Sequence, residues 1–323
     1  LDWARAHNVG FSTVASLGAA LDVGVGDVLD FLALDRETRA VLLFLEGADH
    51  SRRFMSGLRG LARIKPVVVV KAGRYAGPRD EPSRHSGPSS VQDAVFDSAL
   101  RRAGAVRVAT LPQLFSTAEL LSHAPRLSGE RLAVLTNTAG LGVLAEDRAH
   151  DLGLPLATFA AETLAQLAAL LPSHSAGSNP LDLSADATAS RYARTLELCL
   201  ADRGVDGALV LLSPQLFTDT DAVVAVIAEQ EAVSRKPVLA SFVGGPQVEA
   251  ARERLVASGV PAFDSPETAV EAFGQLSSYR RNRELLIQAP DVFRADALDI
   301  EGARLIIEAA LSLGRTALSQ LES

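Results

Sequence analysis

Residues Pro66 to Val70 (PVVVV) form an unbroken apolar run dominated by β-branched side chains. A strand with one wet face alternates polar and apolar residues. A run without alternation belongs on the inside of a parallel sheet, covered on both faces. Ala72 to Gly87 then carries three Gly, two Pro and several charges, which excludes regular structure. Ser89 to Ala103 follows as an amphipathic helix, with Val91, Ala94, Val95, Ala99 and Leu100 on one face. Strand, irregular loop and helix is the arrangement by which an open α/β sheet presents chemistry at the carboxyl ends of its strands.

The same order recurs along the chain. Buried strands are expected at Ala40–Leu45 (AVLLFL), Leu132–Leu135, Gly207–Leu212 and Pro237–Phe242, with shorter ones at Phe11–Leu17, Val106–Ala109, Leu154–Thr158 and near Pro261. Helical patterns alternate with them, the first capped by Asp27 and running from Val28 to Leu34. The regular alternation predicts an α/β fold of two flavodoxin-like domains, each a parallel sheet with helices on both faces and right-handed crossovers. The expected division is 1–126, 130–286 and a remainder, 287–323, holding one helix (Ile300–Leu313), with a hinge at Pro125–Gly129. The chain opens on Leu1, and LDWARAH reads as the tail of a helix, so a fragment of a longer protein is expected.

Composition narrows the function class. The net charge of −8 with scattered basic residues leaves no footprint for nucleic acid. No apolar run approaches the ~18 residues of a membrane span, and no signal peptide is visible. Cys199 is the single cysteine, which rules out an internal disulfide and favours a reducing, cytoplasmic setting. Its place among Leu196, Leu198 and Leu200 reads as core. The histidines do not fall at metal-ligand spacing, so no metal site is expected.

Three candidates for chemistry stand at strand ends. His85, in Arg84-His85-Ser86-Gly87, lies on the long loop, where an exposed histidine is usually a solvated surface residue. Glu46 directly follows AVLLFL; its plain reading is a strand-end carboxylate. If adjacent parallel strands bring the two together, a carboxylate on one ring nitrogen fixes the tautomer and frees the other nitrogen as a nucleophile. The third is the turn Thr136 to Gly142, where a small-residue turn from strand to helix leaves backbone N–H groups and a helix dipole for an anion. Such turns also arise from packing alone. It is neither a P-loop nor a GxGxxG fingerprint.

The segments GFSTVASLGAALDVGVGDVLDFLALDRETRAVLLFLEGADHSRRF, KPVVVVKAGR, SRHSG, TNTAGLGVLAED, NPLDLSADATASRYA, SPQLFTD and KPVLASFVGG resemble, in order, the NDP-forming acyl-CoA synthetases, relatives of succinyl-CoA synthetase. The resemblance implies a phosphorylated histidine at His85, supported by Glu46, with Ser86 and Gly87 beside it. It also implies that the phosphate is received by a helix N-terminus formed by Asn137, Thr138, Ala139, Gly140, Leu141 and Gly142. Arg84 stands where the family usually has serine, and Pro88-Ser89-Ser90-Val91-Gln92 replaces the usual small residues. The implied reaction interconverts acyl-CoA, NDP and phosphate with acid, CoA and NTP. Its cofactors would be coenzyme A, ATP/ADP or GTP/GDP and Mg²⁺ in the full-length protein, none of them required by the fragment. The implied partners are a CoA-binding module and an ATP-grasp module, in cis or as a second subunit, and a homo-oligomer is compatible with the sequence. Asp299–Glu322 resembles the lead-in to that ATP-grasp module. The alternative implied by relatives fused to a GNAT-type acetyltransferase is a regulatory region sensing acyl-CoA or nucleotide.

Overall fold

The computed structural model describes residues 10–18, 20, 22–46, 51–73, 93–123, 127–172, 175, 177–216, 218–288, 299–315 and 318. The first half builds β1 (Val41–Leu45), β2 (Val67–Lys71) and β3 (Val106–Val108), with α1 (Val25–Leu34), α2 (Ser51–Ala62), α3 (Asp93–Arg102) and α4 (Leu111–His123). The strands pair in parallel in the order β1-β2-β3. The PVVVV run behaves as its composition requires: Val67, Val68 and Val69 are 0% exposed. Because side chains alternate across a strand, Val67 and Val69 join Leu29, Phe54, Leu58 and Leu100 of α1, α2 and α3, whereas Val68 and Val70 meet Leu114 and Ala118 of α4.

The second half holds β4 (Leu132–Thr136), α5 (Ala139–Asp151), α6 (Ala161–Leu170), β5 (Leu181–Asp182), α7 (Ala189–Ala201), β6 (Gly207–Leu212), α8 (Thr220–Val233), β7 (Val238–Phe242), α9 (Pro246–Ala257), β8 (Ala262–Phe263) and α10 (Pro266–Ile287). All its strand pairs are parallel, in the order β5-β4-β6-β7-β8. This is the doubly wound order of flavodoxin, 2-1-3-4-5. Residues up to Ile287 form one compact unit, and α11 (Ile300–Ser312) belongs to a second, Gln288–Ser323.

One core layer serves both sheets. Val68, Val106, Leu114 and Leu121 share a cluster with Leu132, Val134, Leu209 and Leu239, and Val270, Phe273 and Leu276 of α10 lie in the same cluster. Polar ties reinforce it. Glu271 on α10 accepts from Gln113 of α4 at 2.7 Å and from Arg148 of α5 at 2.7 Å, and buried Asn282 donates to the Ala105 carbonyl at 2.7 Å. Of the hinge expected at Pro125–Gly129, residues 127–129 are described, and they and the two residues after them are tied to the second half. Ser128 donates to Asp206 at 3.3 Å, Arg131 holds the same carboxylate at 2.7 Å, and Glu130 accepts from Arg280 and Arg281. Burial pushes the Asp206 carboxyl up, but the bonds from Arg131 outweigh it and hold it below the usual range.

Other departures are local. Residues 10–18 form no strand, because no neighbour among the described residues pairs with them. Leu154–Thr158 makes only a single bridge, Leu156 to Leu132, because the upper half of β4 is taken by β5 instead. Asp27 does not cap α1; it sits three residues inside, reaching back to accept the Gly24 N–H at 2.9 Å.

Candidate functional site

The chain leaves β4 for β5 on one side and then crosses to β6 on the other, so the carboxyl end of β4 is a switch point, where open α/β sheets leave a crevice. The turn Thr136–Gly142 stands there. Thr136 and Asn137 are each 1% exposed. Asn137 is turned inward: its Nδ2 donates to the Ser213 carbonyl at 2.8 Å, and its Oδ1 accepts the Ser213 N–H at 2.9 Å. This reciprocal pair ties the tip of β4 to the tip of β6. Beneath it, the buried Tyr192 hydroxyl donates to the Leu211 carbonyl at 3.0 Å and accepts the Asn137 N–H; burial drives its pKa well above the usual phenol value. Thr136 Oγ1 accepts the Thr138 N–H at 3.0 Å, which closes the turn.

Helix α5 begins immediately after. Thr138 is its N-cap, in an extended conformation and without a side-chain cap bond. The Leu141 N–H returns to the Thr138 carbonyl at 3.0 Å, and the Gly142 N–H approaches the same oxygen at 3.4 Å. The N–H groups of Ala139 and Gly140 make no such bond among the described residues, and both residues are exposed. A Cβ built on Gly140 meets nothing within 4 Å, whereas one on Gly142 comes within 3.1 Å of Pro180 and 3.2 Å of Thr136. Gly140 therefore leaves open space for a ligand, and Gly142 allows the helix to sit close on Pro180. Two uncommitted N–H groups at the positive end of a helix dipole make an anion receptor.

On the first sheet, Glu46 is the residue after β1 and is exposed. Leu45 pairs with Lys71, and the Ala72 N–H donates to the Leu45 carbonyl at 2.8 Å, so Glu46 lies beside the point where the chain leaves β2. His85, Ser86 and Gly87 lie outside the described residues, in the segment between Gly73 and Asp93. Both ends of that segment are fixed at the carboxyl end of β2. Asp93 is bonded by Arg107 of β3 at 2.6 Å and lies 3.8 Å from Lys71, which also stands over the Phe96 ring at 5.5 Å. Glu46 lines a cleft bounded by residues 10–18 and α1.

Sequence reasoning missed Ser213 and Tyr192. Nothing local marks them, since Tyr192 sits on an ordinary helix face and Ser213 merely ends a strand. Cys199 is buried, and burial pushes its thiol up to about 12, in keeping with a core role. Among the described residues no group of His, Cys, Asp and Glu could hold a metal ion, and no helix is long and apolar enough to cross a membrane.

Comparison with known proteins supplies the context. Residues 1–121 match the model of the succinyl-CoA ligase like flavodoxin domain, and residues 132–287 that of the ligase-CoA domain. Acetate–CoA ligase (ADP-forming) I of Archaeoglobus fulgidus is 35% identical over 97% of this chain and 44% of its own length. The alpha subunit of acetate–CoA ligase (ADP-forming) I of Pyrococcus furiosus is 30% identical over 87% of this chain and 61% of its own. A dinucleotide-forming acetyl-coenzyme A synthetase 1 of Ca. Korarchaeum cryptofilum, solved in complex with phosphate and ADP, superposes with a TM-score of 0.79 at 30% identity, covering 88% of this chain and 62% of that one. The chain spans about half the length of the curated relatives it matches.

Proposed function

We propose, for a chain that belongs to the succinyl-CoA synthetase-like family of NDP-forming acyl-CoA synthetases, that it is the phosphoryl-handling region of an acid–CoA ligase. The full-length protein would convert acyl-CoA, phosphate and NDP to acid, CoA and NTP, and the reverse. The observation that carries this reading is the open N-terminus of α5, with the Ala139 and Gly140 N–H groups uncommitted at the switch point of a parallel sheet.

In the proposed cycle an oxygen of phosphate attacks the thioester carbonyl of acyl-CoA, the C–S bond breaks and CoA leaves, and a neutral nitrogen of His85 then attacks the phosphorus of the resulting acyl phosphate. The N–P bond forms as the P–O bond to the acyl group breaks, and the carboxylic acid leaves. Glu46 holds the other ring nitrogen and stabilises the charge that the ring acquires. The N–H groups of Ala139 and Gly140, with the α5 dipole, receive the phosphoryl oxygens. An oxygen of the nucleoside diphosphate then takes the phosphoryl group and His85 returns to its neutral form. Coenzyme A and nucleotide belong to this reading through the family. Mg²⁺ would supply charge neutralisation at the nucleotide; among the described residues no group of His, Cys, Asp and Glu could hold it. A cytoplasmic setting suits the single, buried cysteine. No observation on the described residues favours the regulatory alternative.

The test is phosphoryl labelling of the full-length protein with γ-labelled NTP and Mg²⁺. Acid-labile, base-stable label on His85, lost in His85→Asn, is expected. Normal nucleotide binding without any label on His85 would overturn the reading.

A further inference from the structure

At its carboxyl end β4 parts from β6 in an ordered way. In a parallel pair, alternate residues turn both main-chain groups to the same side. Leu132 and Thr136 turn theirs away from β6: the Leu132 N–H donates to the Pro155 carbonyl at 3.1 Å, and the Thr136 carbonyl accepts the Leu183 N–H at 2.7 Å. Ala133, Leu135 and Asn137 therefore face β6, and the last pair of the ladder is Thr136↔Leu211. Continued past that pair, the ladder would set three bonds in turn. The Asn137 N–H would meet the Leu211 carbonyl, the Ser213 N–H the Asn137 carbonyl, and the Ala139 N–H the Ser213 carbonyl.

Side chains occupy these places. The Tyr192 hydroxyl donates to the Leu211 carbonyl at 3.0 Å and accepts the Asn137 N–H. The Asn137 Oδ1 accepts the Ser213 N–H at 2.9 Å, where the ladder would use the Asn137 carbonyl. The Asn137 Nδ2 donates to the Ser213 carbonyl at 2.8 Å, where the ladder would use the Ala139 N–H. Thr138 is still extended, with φ −144° and ψ 109°, so it is this substitution of partners that ends the pairing. The Ala139 N–H is released from the sheet by it, and is one of the two that open the N-terminus of α5.

Tyr192 is the member of this set that comes from outside the two strands. It stands on α7, 1% exposed, in the core cluster that holds Leu135, Leu181, Val210 and Leu212. Packing of a rigid ring fixes where its hydroxyl lies, and a buried phenol hydroxyl finds polar partners. Here both of its hydrogen-bonding functions are used, one on each strand, at the rung just before Asn137 turns its side chain to Ser213.

We propose that Tyr192 is a positioning residue for the anion receptor. Its hydroxyl holds the final rung between β4 and β6, so that the Asn137 side chain saturates Ser213 and the Ala139 N–H is left for a phosphoryl oxygen. This inference rests on the reading of the α5 N-terminus as a phosphate receptor. It adds that the receptor is set from beneath the sheet, by a residue that touches no ligand.

The test uses the full-length protein, with inorganic phosphate as the probe in equilibrium dialysis well below Tm. Tyr192→Phe keeps the ring and removes the hydroxyl; its phosphate dissociation constant should rise about tenfold, the equivalent of one net hydrogen bond. Cys199→Ala truncates another fully buried side chain of the same cluster, further along α7. It should lower Tm and leave phosphate affinity at the wild-type value, which separates positioning from general loss of packing. Replacing Tyr192 with p-aminophenylalanine returns a polar group to the para position and should recover most of the affinity. Wild-type affinity in Tyr192→Phe, an equal loss in Cys199→Ala, or no recovery with p-aminophenylalanine overturns the proposal and leaves the receptor standing. A wild-type protein that binds no phosphate overturns the receptor reading, and this inference falls with it.

Discussion

Replacing Asn137 with alanine removes both halves of the clasp between the tips of β4 and β6. The side chain is 1% exposed and makes two bonds to Ser213, at 2.8 and 2.9 Å. A buried polar group left without a partner costs about 1–3 kcal/mol. Two such groups give an upper range near 6 kcal/mol, but Ser213 is half-buried and water can reach part of it, so a loss of ~2–4 kcal/mol is expected. At roughly 2–4 °C per kcal/mol for a unit of this size, Tm should fall by about 4–16 °C. Because the clasp also sets the turn that precedes α5, phosphate binding should weaken in the folded variant. Urea unfolding followed by circular dichroism measures the first effect, and equilibrium binding of labelled phosphate well below Tm measures the second. Asn137→Asp sharpens the test. It keeps an acceptor for the Ser213 N–H but sets a carboxylate against the Ser213 carbonyl, so its carboxyl should titrate high and its stability should recover on acidification. A loss below about 1 kcal/mol for Asn137→Ala, with phosphate binding unchanged, would refute the reasoning.

The two glycines of the turn should separate binding from packing. Gly140→Val, with open space around its Cβ, should change stability by no more than ~1 kcal/mol and weaken phosphate binding more than tenfold, whereas Gly142→Val should cost about 1–3 kcal/mol through its clash with Pro180 and Thr136. Glu231, pushed up to about 7 by burial while accepting the Val238 N–H at 2.9 Å, holds its proton in the folded state longer than in the unfolded state. Its contribution to stability should therefore fall as pH rises from about 4.5 to about 7 and stay level above; urea titrations of wild type against Glu231→Gln should show the difference vanish at low pH. Asp206 has the opposite sign, since its carboxyl is held low: the stability it provides is present above the ordinary carboxylate pKa and is lost as pH falls below it, and Asp206→Asn should flatten that acid limb. Cys199 should resist a thiol reagent in the native protein and react fully in denaturant; native reaction at the rate of a free thiol would contradict its burial.

The strands were legible wherever composition left no other choice. Val67–Val70 could only be buried on both faces, and AVLLFL, LAVL, GALVLL and VLASF followed the same rule, so parallel sheets clothed by helices were determined by local pattern. The small-residue turn after β4 was also visible, because few side chains permit a strand to enter a helix so abruptly. Tertiary structure alone decided which of its residues face solvent. Asn137 is drawn away from the crevice by Ser213, 76 positions along the chain, and Gly142 is pressed against Pro180, which leaves Ala139 and Gly140 outward. The same limit explains residues 10–18, whose strand-like composition produces no strand without a neighbour to pair with. It explains the shared core as well: apolar period shows that a helix has a buried face, but not that α10 would turn that face towards both sheets. Local sequence determines how much of each segment is buried and with what period. Which donor meets which acceptor depends on groups far apart in the chain, and only the folded structure decides that.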